Sequence, residues 1–315
     1  MEKKNQTLVS GFILQEIFNQ AGHKSLLFSI LLFMYLLSLL GNLLIVLLIR
    51  CDAHLLHTPM YFFLSNLALA DVGFASSTVP ITLCNLVSWE KVISYGGCFS
   101  QLYCFLAFGS SDSFLLASMA YDRYMAICHP LHYTALMNTK RCFLMASGCW
   151  ILAFLHSMPY ALMVSHLSFC ASREIPNFFC DINPLLGLSC SDTTAVKMMI
   201  WTMGTLSLLG PFLLVVISYA HIFLTVMKTP SSSSKRKAFS TCGSHLTVVI
   251  LYFSTLIWVD LLPTSGNKTL ATLMYTVGAP LLNPFIYSLR NNDMKNALRR
   301  LIGRMRVSLE QLETD

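Results

Sequence analysis

Charge is what this chain has least of. Only 11% of its 315 residues are Asp, Glu, Lys or Arg, where a soluble domain carries about 25%. The deficit excludes a large soluble core. The net charge of +6 is spread along the chain, with no dense basic run interleaved with aromatics, so no nucleic acid is expected as a partner. Ser, His and Asp are present but fall in no recognisable nucleophile motif, and the acids are isolated from the histidines, which argues against an enzyme. No cysteine spacing suggests a zinc site. No cleavable leader is evident, because the first apolar run begins near Leu26 and is too long for a signal peptide. Inverted repeats of the kind many transporters show are missing. The one linker-like run is Ser231 to Ser234.

What remains is apolar: 55% of residues are hydrophobic and the mean hydropathy is +0.62. Seven stretches are long enough to cross a bilayer, which takes about 20 residues: 26–49, 59–87, 97–127, 142–164, 198–227, 238–262 and 270–289. The pattern predicts an all-α membrane protein, a seven-transmembrane helix bundle. Residues 1–25 are polar and mixed. After residue 289, Met294, Ala297, Leu298, Leu301, Ile302 and Met305 recur at three- and four-residue steps among Lys295, Arg299, Arg300 and Arg304. That predicts a basic amphipathic helix over 292–306, lying on the bilayer surface. No cysteine follows Cys242, so no palmitate can anchor it. The division is therefore an N-terminal segment 1–25, a spanning domain 26–289 and a tail 290–315.

Lys and Arg set the orientation. Fourteen lie on the side of Arg50, Arg123, Lys140 and the tail, and seven on the other. The richer side is expected in the cytosol, with the N-terminus outside a multi-pass plasma-membrane protein. Asn5-Gln6-Thr7 is then an exposed glycosylation sequon, whereas Asn267-Lys268-Thr269 lies too close to the membrane. Four of the eleven cysteines, Cys98, Cys170, Cys180 and Cys190, face the oxidising side, where disulfides form. Four cysteines allow three pairings.

Several polar residues sit where hydrocarbon disfavours them. Asp122-Arg123-Tyr124 occupies the last turns of the third span, just before the helix-ending Pro130. The pair reads as a latch that Arg123 opens by changing partners, or as an anchor for the helix end. Asp71 and Asp112 lie mid-span, as do Asn42 and Asn283. They suit a bound sodium ion, a shared proton, or one protonated carboxyl satisfied by hydrogen bonds. Pro280 and Pro284 interrupt the seventh span and free backbone groups that neighbours must satisfy. Phe253, Leu256, Ile257 and Asp260 share one face of the sixth helix by their spacing. Phe105, Leu106, Gly109 and Ser110 do so in the third, and Met203 and Ser207 in the fifth.

These fragments, taken in order, resemble the olfactory receptors, a branch of the rhodopsin-like G-protein-coupled receptors. The likeness rests on Gly41-Asn42, Leu56-His57-Thr58-Pro59-Met60-Tyr61-Phe62-Phe63-Leu64, the stretch from Met119 to Tyr133, Ser218-Tyr219, the segment from Lys237 to Leu246, and Pro280 through Asn291. The overall pattern is similar to the tetrapod-type class. The resemblance implies disulfides Cys98–Cys180 and Cys170–Cys190. It implies a pocket for a small volatile odorant at the three faces just named together with Thr276. It favours the latch at Asp122, Arg123 and Tyr124, with Tyr219, Asn283, Pro284 and Tyr287 moving beside it. It implies a stimulatory, olfactory-type heterotrimeric G protein and rising cyclic AMP. It also implies a candidate sodium site at Asp71, Asp112, Asn42 and Asn283, with no other cofactor. The chain departs from the family at Asp112, where Glu is usual, at Tyr252-Phe253-Ser254, where Phe-Tyr-Gly is usual, and at Asp260, where Tyr is frequent.

Overall fold

The computed structural model describes residues 11–15, 24–88, 91–170, 172–229, 231–261, 268–290 and 292–312. Within these, the side chains of 234, 236, 237, 240, 241, 260, 261, 268–270, 289, 290 and 304–312 are outside the described set. Asn5 and Asn267 therefore lie outside the described residues, as does the Asp260 side chain.

The first span is helix α1 (Lys24–Cys51), and a short turn, α2 (Ala53–Leu56), follows it. Next come α3 (Pro59–Val87), α4 (Tyr95–Cys128), the short α5 (Tyr133–Leu136) and α6 (Thr139–Ser165). Two small helices, α7 (Ile182–Leu188) and α8 (Thr194–Met199), lead through a π turn, Ile200–Gly204, into α9 (Thr205–Lys228). The sixth span is α10 (Ser232–Leu261). The seventh is α11 (Lys268–Leu273), a π turn at Met274–Gly278 and α12 (Ala279–Arg290), with α13 (Asn292–Leu312) after it. Among the described residues, six helices are long and apolar enough to cross a membrane. The seventh segment is divided by its π turn, so no unbroken part of it reaches that length.

Local chemistry sets the helix starts. Pro59 takes the first position of α3 after an extended Thr58, where the missing N–H costs nothing. Asn138 caps α6 by accepting the Arg141 amide at 3.0 Å, and Ser94 caps α4 through the Gly97 amide at 3.1 Å. On α1, Leu26, Phe33, Leu40 and Leu47 recur every seven residues and are all exposed. Such an apolar stripe is unfavourable in water and suits hydrocarbon.

Three expectations change. The linker read at Ser231–Ser234 is already helical from Ser232, because α10 extends beyond the apolar run that defined it. The amphipathic helix likewise runs to Leu312. The polar N-terminal segment also contributes a strand. β1 (Gly11–Leu14) pairs antiparallel with β2 (Val92–Ser94) and parallel with β3 (Glu174–Ile175), in the order β2-β1-β3. Four residues are too few for alternation to show in the sequence. Phe12 is fully buried there, against Tyr95, Phe99 and Phe169. The sheet and both disulfides sit at one end of the bundle, and Arg123 lies toward the other.

Candidate functional site

Three groups of residues lie along the bundle axis. The disulfide end carries an aromatic chamber. Cys98 is bonded to Cys180 and Cys170 to Cys190. The first of these holds the loop that bears Phe178 and Phe179 over α4. Gln101 adds two contacts that the sequence did not signal. Its amide nitrogen donates to the Ser77 carbonyl at 2.9 Å, and its amide oxygen accepts the Cys180 N–H at 3.0 Å. Phe179 then reaches Phe105, with ring centroids 5.0 Å apart, and Phe105 stacks on Phe74 at 4.9 Å with Tyr275 at its edge. Gly109 leaves room for this packing, since a Cβ there would stand 3.1 Å from Phe74 and 3.2 Å from the Tyr275 hydroxyl.

Among the expected pocket residues, Phe105, Gly109, Phe253 and Thr276 are buried, while Leu106, Ser110, Ser207 and Leu256 are half-buried. Phe253 packs on Phe212, with centroids 5.2 Å apart. Thr276 turns its hydroxyl to the Thr272 carbonyl at 2.8 Å. Met203 and Ile257 are 44% and 39% exposed, not enclosed with the others. For Met203 the cause is local: it sits in the π turn Ile200–Gly204, which adds a residue and rotates the helix, so the regular spacing from Met203 to Ser207 no longer holds. Tyr252 was not among the expected residues. Its hydroxyl donates to the Gly109 carbonyl at 2.6 Å, making a buried tie between α10 and α4. The sequence signal was the displaced aromatic pair Tyr252-Phe253, in which the hydroxyl stands one position early.

Below the chamber lies a polar core. Asp71 and Asp112 are buried, and Asp112 lies within electrostatic reach of Asp71. Asn283 donates its amide to both Asp71 oxygens, at 3.1 and 2.9 Å. Pro284 lacks the N–H that would normally satisfy the carbonyl of Pro280, four residues back. Asn42 supplies the replacement from α1, at 3.0 Å. The helices approach closely enough because residue 41 is Gly; a Cβ there would stand 3.0 Å from Pro284. Three buried oxygens here have no hydrogen-bond partner among the described residues: Ser38 Oγ, Asn42 Oδ1 and Asp112 Oδ1. Two carboxylates with amide and hydroxyl oxygens form a hard-donor set, which suits a small hard cation rather than a transition metal. Among the described residues no group of three or more His, Cys, Asp or Glu gathers as a metal site.

The third group surrounds Arg123. Asp122 does not pair with it. It accepts the Tyr133 hydroxyl instead, at 2.8 Å, while Arg300 pairs with Asp52 beyond it. Adjacent helix positions do not face each other, so the two side chains leave α4 in different directions. Burial and the Asp122 charge push the Tyr133 hydroxyl well above its usual value, which keeps it a donor. Arg123 Nε is buried and has no hydrogen-bond partner among the described residues. The guanidinium lies within electrostatic reach of Tyr219, Cys242, His245 and Tyr287. Tyr219 meets His245 Nδ1 at 2.7 Å, and His245 Nε2 meets the Leu116 carbonyl at 3.2 Å. Tyr124 reaches His129 Nε2 at 2.9 Å. Leu131, between Pro130 and His132, is 92% exposed at this end.

A sequence profile of the olfactory receptor family matches residues 31–304. Among curated proteins, the chain is 52% identical over 306 residues to olfactory receptor 1G1 of Gorilla gorilla gorilla, covering 96% of this chain and 97% of that one. It is 47% identical over 315 residues to olfactory receptor 1C1 of Homo sapiens, covering 99% and 100%. A rat relative, olfactory receptor 1468 of Rattus norvegicus, is 47% identical over 312 residues, covering 98% and 99%.

Proposed function

Because this chain belongs to the olfactory receptor family, we propose that it recognises small volatile molecules in the aromatic chamber and reports them through a stimulatory heterotrimeric G protein. It is a receptor and not an enzyme. It is a multi-pass membrane protein, with its disulfide end outside and Arg123 facing the cytosol. The excess of Lys and Arg beside Arg123 supports this orientation. The two disulfides support it as well, since they belong to an oxidising compartment. Asn5 is then available for glycosylation.

One observation carries the proposal. Buried polar groups run without a break in kind from the chamber to Arg123: the Tyr252–Gly109 bond, Asp112, Asp71 with Asn283, Tyr287, and the Tyr219–His245–Leu116 bridge. A guest shifts such a system only by binding one of its states better than the other. Separation of α10 from α4 would open the Arg123 end, where exposed Leu131 offers an apolar anchor for the G protein. Sodium, held by Asp71, Asp112, Asn42 and Asn283, would supply a positive charge that steadies the closed arrangement. Replacing external sodium with an organic cation should then raise ligand-free signalling.

The decisive experiment expresses the chain with a cyclic AMP reporter and screens volatile compounds. Responses that vanish in Arg123→Ala at equal surface density support the proposal. Transport or ionic current without any G protein would overturn it.

A further inference from the structure

Helix α10 is tied to α4 at two points. The Tyr252 hydroxyl donates to the Gly109 carbonyl at 2.6 Å, and His245 Nε2 meets the Leu116 carbonyl at 3.2 Å. The donors are seven residues apart on α10, and the acceptors are seven apart on α4 in the opposite direction. Seven residues make about two helical turns, roughly 10 Å. The two bonds therefore stand one above the other along a single seam. Both acceptors are backbone carbonyls inside an unbroken helix, and each has a second lone pair to offer. Such bonds register how close α10 stands to α4 and are indifferent to the side chains that α4 carries.

The two ends of the seam meet different surroundings. The lower tie shares His245 with Tyr219. The Leu116 carbonyl can only accept, so Nε2 carries the proton and donates to it; in the neutral ring Nδ1 then accepts the Tyr219 hydroxyl proton at 2.7 Å. The upper tie forms the floor of the aromatic chamber. The Tyr252 ring touches Phe253 edge-on at 5.2 Å and lies 6.2 Å from Tyr275. Gly109, which accepts its bond, has Phe74 and the Tyr275 hydroxyl where a side chain would stand. Phe253 has no hydroxyl with which to make this contact.

We infer that Tyr252 is the positioning residue through which an occupant of the chamber acts on the Arg123 end. A guest seated against Phe105 and Phe253 displaces the Tyr252 ring and breaks its bond to Gly109. That leaves His245 as the remaining tie between α10 and α4 along this seam among the described residues. The inference rests on the receptor reading and adds to it a residue and a direction: the Tyr252 bond belongs to the silent state.

Tyr252→Phe tests it, since it keeps the ring and removes one hydroxyl. Ligand-free cyclic AMP, normalised to surface density, should rise about fivefold, the equilibrium equivalent of one net hydrogen bond. Adding His245→Phe should raise it further. Nucleotide exchange in total membranes gives the same readout if either variant stays inside the cell. Wild-type basal signalling together with wild-type agonist potency in Tyr252→Phe would overturn the inference. So would lowered thermal stability with unchanged signalling, which is how an ordinary core tyrosine behaves. Arg123→Ala in the Tyr252→Phe background should abolish the rise. A rise that survives it would count against the receptor reading itself.

Discussion

The two ends of the bundle are held by different kinds of bond. At the disulfide end, two covalent links, a three-stranded sheet and a cluster around Phe12, Phe99, Leu102, Ile175 and Leu185 fix the loops to α4. At the Arg123 end no disulfide occurs among the described residues; the main core reaches it through Leu55, Met60, Met125, Met137 and Met294, beside a small separate cluster of Ile222, Val226 and Cys242. The polar ties between helices there are single hydrogen bonds, among them Tyr133 to Asp122, Tyr219 to His245, and His245 to Leu116. A net hydrogen bond is worth about 1 kcal/mol, which thermal energy and a modest ligand can overcome. Under the proposed function, the contrast places stability where a guest would be received and freedom where the signal would leave.

The comparison breaks most severely at Cys98. Cys98→Ser removes a crosslink spanning 82 residues between two fully buried sulfurs, a loss of about 2–5 kcal/mol. Surface staining should fall to background. Cys170→Ser, which opens a span of only 20 residues, should reach the surface in reduced amount. If the two variants behaved alike, the ranking of the covalent links would be wrong. Next comes Phe12→Ala. It empties the centre of the outer cluster at a cost of about 3–5 kcal/mol and should lower the melting temperature of purified protein without altering ligand-free signalling. A change in signalling would show that the outer end is not merely a support.

At the other end the expected effect is smaller and different in kind. Tyr133→Phe strands a buried Asp122 oxygen, which costs about 1–3 kcal/mol. Here the variant should raise basal nucleotide exchange while surface delivery stays near normal. Loss of delivery with unaltered exchange would place Tyr133 among the structural residues and would remove the contrast between the ends.

How much of this was legible beforehand depends on the range of each signal. The long apolar runs marked most of the long helices to within a few residues, because a bilayer demands length and hydrophobicity that composition alone reports; α10 begins six residues before its run. Pro284 announced a freed carbonyl, but its partner Asn42 is 238 residues from Pro280 and no local pattern joins them. β1 was invisible, since four residues carry no usable period and both partners are distant in sequence. Both π turns were missed because a regular helical count was assumed through them, and Met203 was misplaced for that reason. Asp122 beside Arg123 looked like an ion pair in one dimension. The helix turns the two apart, and Tyr133, eleven residues on, takes the acid instead.

The smallest expected effect concerns the seam between α13 and the rest of the bundle. Arg300 reaches Asp52 with Nε at 2.8 Å and Nη2 at 2.6 Å, and the Tyr61 hydroxyl donates to Asp293 at 3.0 Å. Burial alone would raise the Asp52 carboxyl. The hydrogen bond and charge of Arg300, together with the amides of Leu55 and His54, more than offset that and hold it below the usual carboxylate value. A depressed carboxyl contributes stability at any pH above its unfolded value, near 4, and loses that stability as pH falls through the folded value. At neutral pH the Asp52 carboxyl is therefore ionised and can pair with Arg300. Because Arg300 is half exposed, the contribution is below about 1 kcal/mol. Arg300→Ala should shift the melting temperature by no more than a degree or two and leave agonist potency within about twofold, about the shift that such a small loss produces. A collapse of signalling in that variant would show that the tail helix, like the Arg123 end, belongs to the part of the molecule that moves.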